Sequence, residues 1–449
     1  MKKFLVVIAV VAMTCMSSVA FAADIAVSGS IEYLLRSFAN LDLNDKSANR
    51  DVRNTTQERV RLNIDAKAGD SLSGRIGIEN DWDGFGGGDG TVGSNRFEHP
   101  MANGRGGSAN AGFLALREAY IGFKVPGTPV GIKGGHMLLQ LGNAWFFRSM
   151  KYGSDAWVGY TDIDALHLGI VDIKVAENAL AIADDTDAYA FVATYKLSDK
   201  MSAGVNLTVI NDRKGLTFNA LYGMAPYTIM GAKMQNIEAH FSGVVGPAKL
   251  NAEIDVQGGD ATLATGSKLK FKGNQIVIQA TVPMDALAIN ATVARGSGAK
   301  TTGPAAGRDT DFKEYVALMD ADVHYTLIYE YLVKTGAKQS FKTIGTGFGN
   351  TTAISLGAGF NVSKNLMVSA DVWMLQATEK ITPYTGAPAS ADSTALGNEI
   401  DVKINWKMYE NLTFNNTIGY FMPGDAYKIS ATQDASTATA IQSVLSFKF

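Results

Sequence analysis

The chain has 449 residues, with 40 Lys and Arg against 43 Asp and Glu, a formal net charge of −3. That balance excludes the strongly basic face a nucleic-acid partner requires. Its 47 Gly, 10 Pro, 21 Phe, 16 Tyr and 5 Trp favour many strands and turns over a helical bundle.

Lys2 and Lys3 precede an apolar run over residues 4–12, and Ala20-Phe21-Ala22 supplies small residues for peptidase cleavage before Ala23. Residues 1–22 are therefore expected to be a signal peptide for the Sec route, and residues 23–449 a single domain. The only cysteine, Cys15, lies inside that peptide behind Thr14, a poor context for a lipid acceptor. A mature chain without thiols holds no disulfide and no Cys-based metal or haem site. Beyond residue 22 no window approaches the roughly 20 apolar residues of a membrane helix, so any crossing would be made by strands.

Strand patterning begins at once. Ile25, Val27, Gly29, Ile31, Tyr33 and Leu35 alternate with Asp24, Ser28, Ser30, Glu32 and Arg36, a period of two. A polar stretch over 40–55 follows, then a second strand around Val60, Leu62, Ile64 and Ala66, a tight link at 68–70, a third strand, and a long Gly-rich stretch over 83–111. Tight links recur at 126–129, 197–200, 246–249, 283–285, 363–365 and 409–411, and longer polar loops lie between them. Seven hairpins and two terminal strands make sixteen. The segments 155–175 and 311–334 each leave room for one more hairpin, so sixteen to twenty strands are admissible and eighteen are expected. Short turns at one end and long loops at the other are the asymmetry of outer-membrane barrels. The fold expected is all-β, a transmembrane antiparallel β-barrel with short periplasmic turns and long extracellular loops.

A comparison of faces sharpens this. The parity holding 60–66, 248–256 and 400–406 carries no charge in thirteen positions, whereas the opposite parity is charged at nine of twelve. In a barrel the uncharged row faces lipid, where a midplane Arg or Lys costs about 2–4 kcal/mol. Charged inward rows set ion selectivity. On this parity Arg59, Arg61, Arg75, Lys124 and Lys133 are pore-lining candidates on early strands, and Glu253, Asp255, Glu399 and Asp401 on later ones. Opposed signs across the lumen would produce a transverse field. Tyr33, Trp82, Tyr195, Tyr331, Trp406, Tyr420 and Phe449, near strand ends, are candidates for interfacial girdles.

At the C-terminus, Phe449, Phe447, Leu445 and Ile441 share one parity, and Lys448, Ser446 and Gln442 the other, with Ser443 and Val444 out of pattern. This ending resembles the signal by which bacterial outer-membrane barrels are recognised by their assembly machinery, which would assign that role to Phe447 and Phe449. The hairpin Leu116-Arg117-Glu118-Ala119-Tyr120-Ile121-Gly122-Phe123-Lys124, followed by Val130-Gly131-Ile132-Lys133-Gly134-Gly135, resembles the Arg-x-Ala-Tyr-(Val/Ile)-Gly-(Leu/Phe) hairpin of Gram-negative general porins. His136 stands after Gly134-Gly135 where that family usually carries Gly-Arg, so the family's anion-selective constriction does not transfer. The resemblance implies a homotrimer in the lipopolysaccharide-bearing outer membrane, passing small hydrophilic solutes and ions without a cofactor. It also implies that residues 139–153 fold inward as a constriction loop, with Asn143, Trp145, Phe146, Phe147, Arg148 and Lys151 as its candidate residues. An alternative is a scaffold barrel sheathing a partner such as a multihaem cytochrome.

The five histidines, His99, His136, His167, His240 and His324, form no pair at metal-ligand spacing, and no nucleophile elbow or paired-acid signature stands out. Catalysis is not expected. The Gly-rich run 81–90 lacks the Lys of a phosphate-binding loop and the ligand spacing of an EF-hand, and reads as a solvated loop.

Overall fold

The computed structural model describes residues 23–46, 52–84, 115–177, 184–215, 228–298, 311–319, 325–330, 347–383 and 389–449. In chain order the strands are β1 (Asp24–Ala39), β2 (Val52–Ala68), β3 (Leu72–Gly84), β4 (Ala115–Lys124), β5 (Val130–Gln140), β6 (Phe147–Ile163) and β7 (Leu166–Ala176). They continue with β8 (Thr186–Ser198), β9 (Met201–Asp212), β10 (Ile229–Val245), β11 (Ala248–Leu263), β12 (Lys268–Phe271), β13 (Asn274–Met284) and β14 (Leu287–Gly296). The last are β15 (Asp311–Phe312), β16 (Leu318–Met319), β17 (Thr351–Ser363), β18 (Leu366–Ile381), β19 (Ser393–Tyr409), β20 (Leu412–Pro423) and β21 (Ala438–Lys448).

All but β12, β15 and β16 form one antiparallel wall of eighteen strands, each paired with its sequence neighbours. Pairing of β1 with β21, from Ser30↔Lys448 to Ala39↔Thr439, closes it. Closure removes the unpaired edge donors that neither lipid nor water could satisfy in a membrane. The eighteen strands include the hairpin β6–β7 within 155–175, where Asp164 takes the left-handed turn at φ 52°. The segment 311–334 adds no hairpin to the wall: its described residues, 311–319 and 325–330, lie against the inside of the barrel.

The period of two places the faces as the side chains require. Ile25, Val27, Ile31, Ile237, Ile254, Val256, Ile400 and Trp406 are exposed on the outside, while Glu238, Glu253, Asp255, Glu399 and Asp401 on the opposite parity are buried. Of the proposed girdle residues, Tyr195, Trp406, Tyr420 and Phe449 are exposed; the Trp82 side chain and Tyr331 lie outside the described residues. One irregularity changes what points inward. Gly77 pairs with Glu118 and Ile78 with Leu116, so Arg117 is the extra residue of a β-bulge. A bulge shifts the alternation by one, and here it turns both Arg117 and Glu118 to the inside, where each meets a charged partner.

The largest cluster of buried apolar side chains is inside the barrel rather than between layers. Tyr325, Phe348 and Trp373 stack against one another, with ring centroids 4.4 Å apart for Tyr325–Phe348 and 5.4 Å for Tyr325–Trp373. Trp145 joins Phe348 at 5.0 Å, and Tyr329, Phe421 and Tyr427 extend the group. Three stretches from two connections carry much of this core. They are the tip between β5 and β6, residues 141–146, and the stretches 311–319 and 325–330 between β14 and β17.

Candidate permeation path

The inward tip is held from the far wall. Glu253 of β11 accepts the backbone N–H groups of Asn143 (2.8 Å) and Trp145 (3.1 Å). The Asn143 amide donates to the carbonyls of Ala252 (2.8 Å) and Phe241 (3.1 Å). A carboxylate facing two orphan N–H groups is a charge-assisted cap, stronger than a neutral pair. The turn at 325–330 is held the same way on β19: Glu399 accepts from Ile328 (2.6 Å) and Tyr329 (2.7 Å), and Asp401 from Leu327 (3.3 Å). Between them, Gln257 makes a two-way bond with Val316, and Leu318 N–H reaches the Phe146 carbonyl at 2.8 Å, so 311–319 straps the tip down. Burial pushes the phenols of Tyr315 and Tyr325 well above their ordinary range, so they remain neutral.

Glu253, Asp255, Glu399 and Asp401 therefore face inward, as their parity requires, yet they are 2 % exposed or less. They do not line open water: backbone donors of the chain's own inward segments cover Glu253, Glu399 and Asp401, and the side-chain amides of Asn236 and Gln275 cover Asp255. The early-strand cations also differ from the expected bare positive wall. Arg59 pairs with Glu32, and Arg61 with Glu79. Arg75 reaches Asp65 (3.0 Å) and Glu118 (3.7 Å), and Arg117 reaches Glu79 at 3.2 Å. Four guanidinium groups face four carboxylates, so these arginines do not form an uncompensated positive row. Lys133 lies 5.9 and 5.8 Å from the ring centroids of Tyr120 and Tyr160, a cation–π arrangement, and Lys124 is exposed at the short-turn end.

Of the loop candidates, Asn143, Trp145 and Phe146 lie in the inward tip, whereas Phe147 and Arg148 open β6 and pair back to the wall through Gln140↔Arg148. The side chain of Lys151 lies outside the described residues. On the short-turn side of the tip is a cavity of about 640 Å³, lined by Arg148, Tyr160, His167, Thr194, Ser202, His240, Ser242, Asn251 and Gln279 among others. No carboxylate lines it, and Arg148 is its one permanently charged side chain among the described residues. Sequence reasoning missed Arg117, whose signal was hidden by the bulge, and Glu238, which the alternation Ile237-Glu238-Ala239 could have marked.

Comparison with known proteins shows the architecture to be a recurrent one. The BenF-like porin from Pseudomonas fluorescens Pf-5 is similar, with a TM-score of 0.54 at 11 % identity over 96 % of this chain and 100 % of that one. Pseudomonas aeruginosa OccK9 (OpdG) gives 0.55 at 12 % over 95 % and 98 %, and Acinetobacter baumannii OccAB2 gives 0.53 at 9 % over 95 % and 98 %. The likeness is one of fold. No protein-family model and no curated protein matches the sequence. At such identities the shared property is the barrel with its strand plan, and the residues facing the lumen are this chain's own.

Proposed function

We propose that this chain is a porin of a Gram-negative outer membrane, passing small hydrophilic solutes and ions by diffusion, with no catalytic turnover. The observation that carries this reading is a closed wall, apolar outside and bearing rows of charged and polar groups inside, narrowed from within by segments of the same chain. The similar fold of a protein described as a porin supports it. The signal-like residues 1–22, the terminal Phe447 and Phe449, and a homotrimeric assembly in lipopolysaccharide-bearing lipid complete the proposal. Both terminal rings lie on the outer face, 6.0 Å apart, where assembly machinery can reach them. A cavity of about 640 Å³ corresponds to roughly twenty waters at about 30 Å³ each. Such a space has room for small solutes and ions.

The test is planar-bilayer recording of the detergent-purified chain. Discrete conductance steps are expected, and their absence from folded protein would overturn the reading. The lining of the cavity by Arg148 without a carboxylate further predicts a preference for anions. In a salt gradient, Arg148→Ala should move the reversal potential toward cations; an unmoved potential would remove Arg148 from the path.

A further inference from the structure

The tip at 141–146 also roofs a group of side chains that the permeation path does not use. Glu238 of β10 and Glu253 and Asp255 of β11 place ligand oxygens within 4.8 Å of one another, at exposures of 0, 2 and 0 %. Like charges this close and this dry repel strongly. Their partners are the two tip N–H groups on Glu253, the amides of Asn236 (2.7 Å) and Gln275 (3.0 Å) with the Tyr315 hydroxyl on Asp255, and the Asn206 amide (2.9 Å) with His240 Nδ1 (3.0 Å) on Glu238 Oε1. Glu238 Oε2 has none.

A second observation points to a ligand. Asn206 Oδ1, Gln275 Oε1 and Thr208 Oγ1 are buried without hydrogen-bond partners, in residues that are 2, 2 and 1 % exposed. Asn206, Glu238, Asp255 and Gln275 stand directly opposite one another across β9, β10, β11 and β13, while Thr208 stands opposite Asn236 and Glu253 opposite His240 on either side of that row. The two orphan amide oxygens thus share the row of Glu238 and Asp255, and Thr208 and Glu253 flank it. Flipping the amides would not relieve them, because each already turns its NH2 group to a carboxylate.

We propose that this row binds one calcium ion, which clamps the tip across the barrel. Calcium takes six to eight oxygen ligands at about 2.3–2.6 Å, so oxygens on opposite sides of it lie about 4.6–5.2 Å apart, matching the observed spread. Magnesium, with ligands at about 2.0–2.1 Å and a retained water shell, suits a dry site of this span poorly. The donor set is oxygen with a single imidazole beside it, which disfavours zinc. An organic cation is too large to sit among oxygens within 4.8 Å of one another. Gly142, at φ 51°, carries the roof: a Cβ there would strike Glu238 Oε1, so only glycine lets the tip backbone seat over the row.

The experiment is calorimetric titration of CaCl2 into detergent-purified, chelator-stripped protein, with MgCl2 as competitor. One site per chain that magnesium does not displace is expected. Glu238→Gln and Asp255→Asn, each checked for the barrel's heat-modifiable electrophoretic mobility, should weaken binding by about tenfold or more, as disturbed metal shells do. Absence of calcium binding by the wild-type chain, or folded variants that bind as it does, would overturn the proposal, and the wild-type titration decides even if a variant fails to fold. The readout is binding, so it stands apart from conduction: a chain that binds calcium but never conducts refutes the porin reading alone.

Discussion

Gly29 and Phe449 turn barrel closure into the fit of one ring against one backbone. The two residues exchange both backbone hydrogen bonds, at 2.9 and 3.1 Å, and a Cβ at Gly29 would lie 2.5 Å from Phe449 Cζ and from the Arg61 carbonyl. Gly29→Val overpacks that seam, which typically costs about 1–3 kcal/mol. A lower yield of heat-modifiable folded barrel is the expected result, and an unchanged yield would show that the ring moves aside freely. Glu399 makes a similar case for the interior. Glu399→Ala leaves the N–H groups of Ile328 and Tyr329 buried and unpaired, at about 1–3 kcal/mol each, while Glu399→Gln keeps weaker bonds. Urea unfolding should rank the three proteins in that order. At this scale the sequence revealed which side of the wall Glu253, Asp255, Glu399 and Asp401 occupy, because parity is local. It could not reveal their covers, because Asn143 and Glu253 lie 110 residues apart and no periodicity links them.

Hairpins were the most legible elements. Each tight link ends two alternating runs, which marked sixteen strands; of the two segments with room for one more hairpin, 155–175 supplies the pair that turns at Asp164 and completes the eighteen. The segment 311–334 carries similar apolar density for another reason. Tyr315, Val316 and Ala317 are buried in the barrel's interior core, and apolar content alone does not distinguish a lipid-facing strand from a strap packed against aromatics. The bulge at Arg117 was illegible because a slip of one residue looks like noise in a ten-residue strand. It has a functional consequence. Glu79 is neutralised by Arg61 and Arg117 together, so the double change Arg61→Ala, Arg117→Ala should move the reversal potential toward cations, whereas Arg61→Ala alone should move it less. Equal shifts would mean that Arg117 does not share this role.

Across the whole molecule, the eighteen-strand wall sets an upper bound on the pore and the chain's own filling sets its working size. A barrel with a core of Trp145, Tyr325, Tyr329, Phe348, Trp373 and Phe421 inside it is expected to conduct far less than its circumference allows. Replacing 325–330 by a short Gly-Ser linker should raise single-channel conductance; an unchanged value would place the narrowest point at the tip of 141–146 instead.

The filling also constrains how the molecule is made. Residues 311–319 and 325–330 lie far from both chain ends, yet they are enclosed by a seam that joins those ends, with Leu34 beside Val444. Threading a polar backbone into a finished cylinder would strip its water before any carboxylate could receive it. The curling sheet is therefore expected to gather these stretches while it is still an open trough, before β1 meets β21. Assembly order is thus written into the interior: whatever catalyses closure handles a half-pipe that already holds its contents.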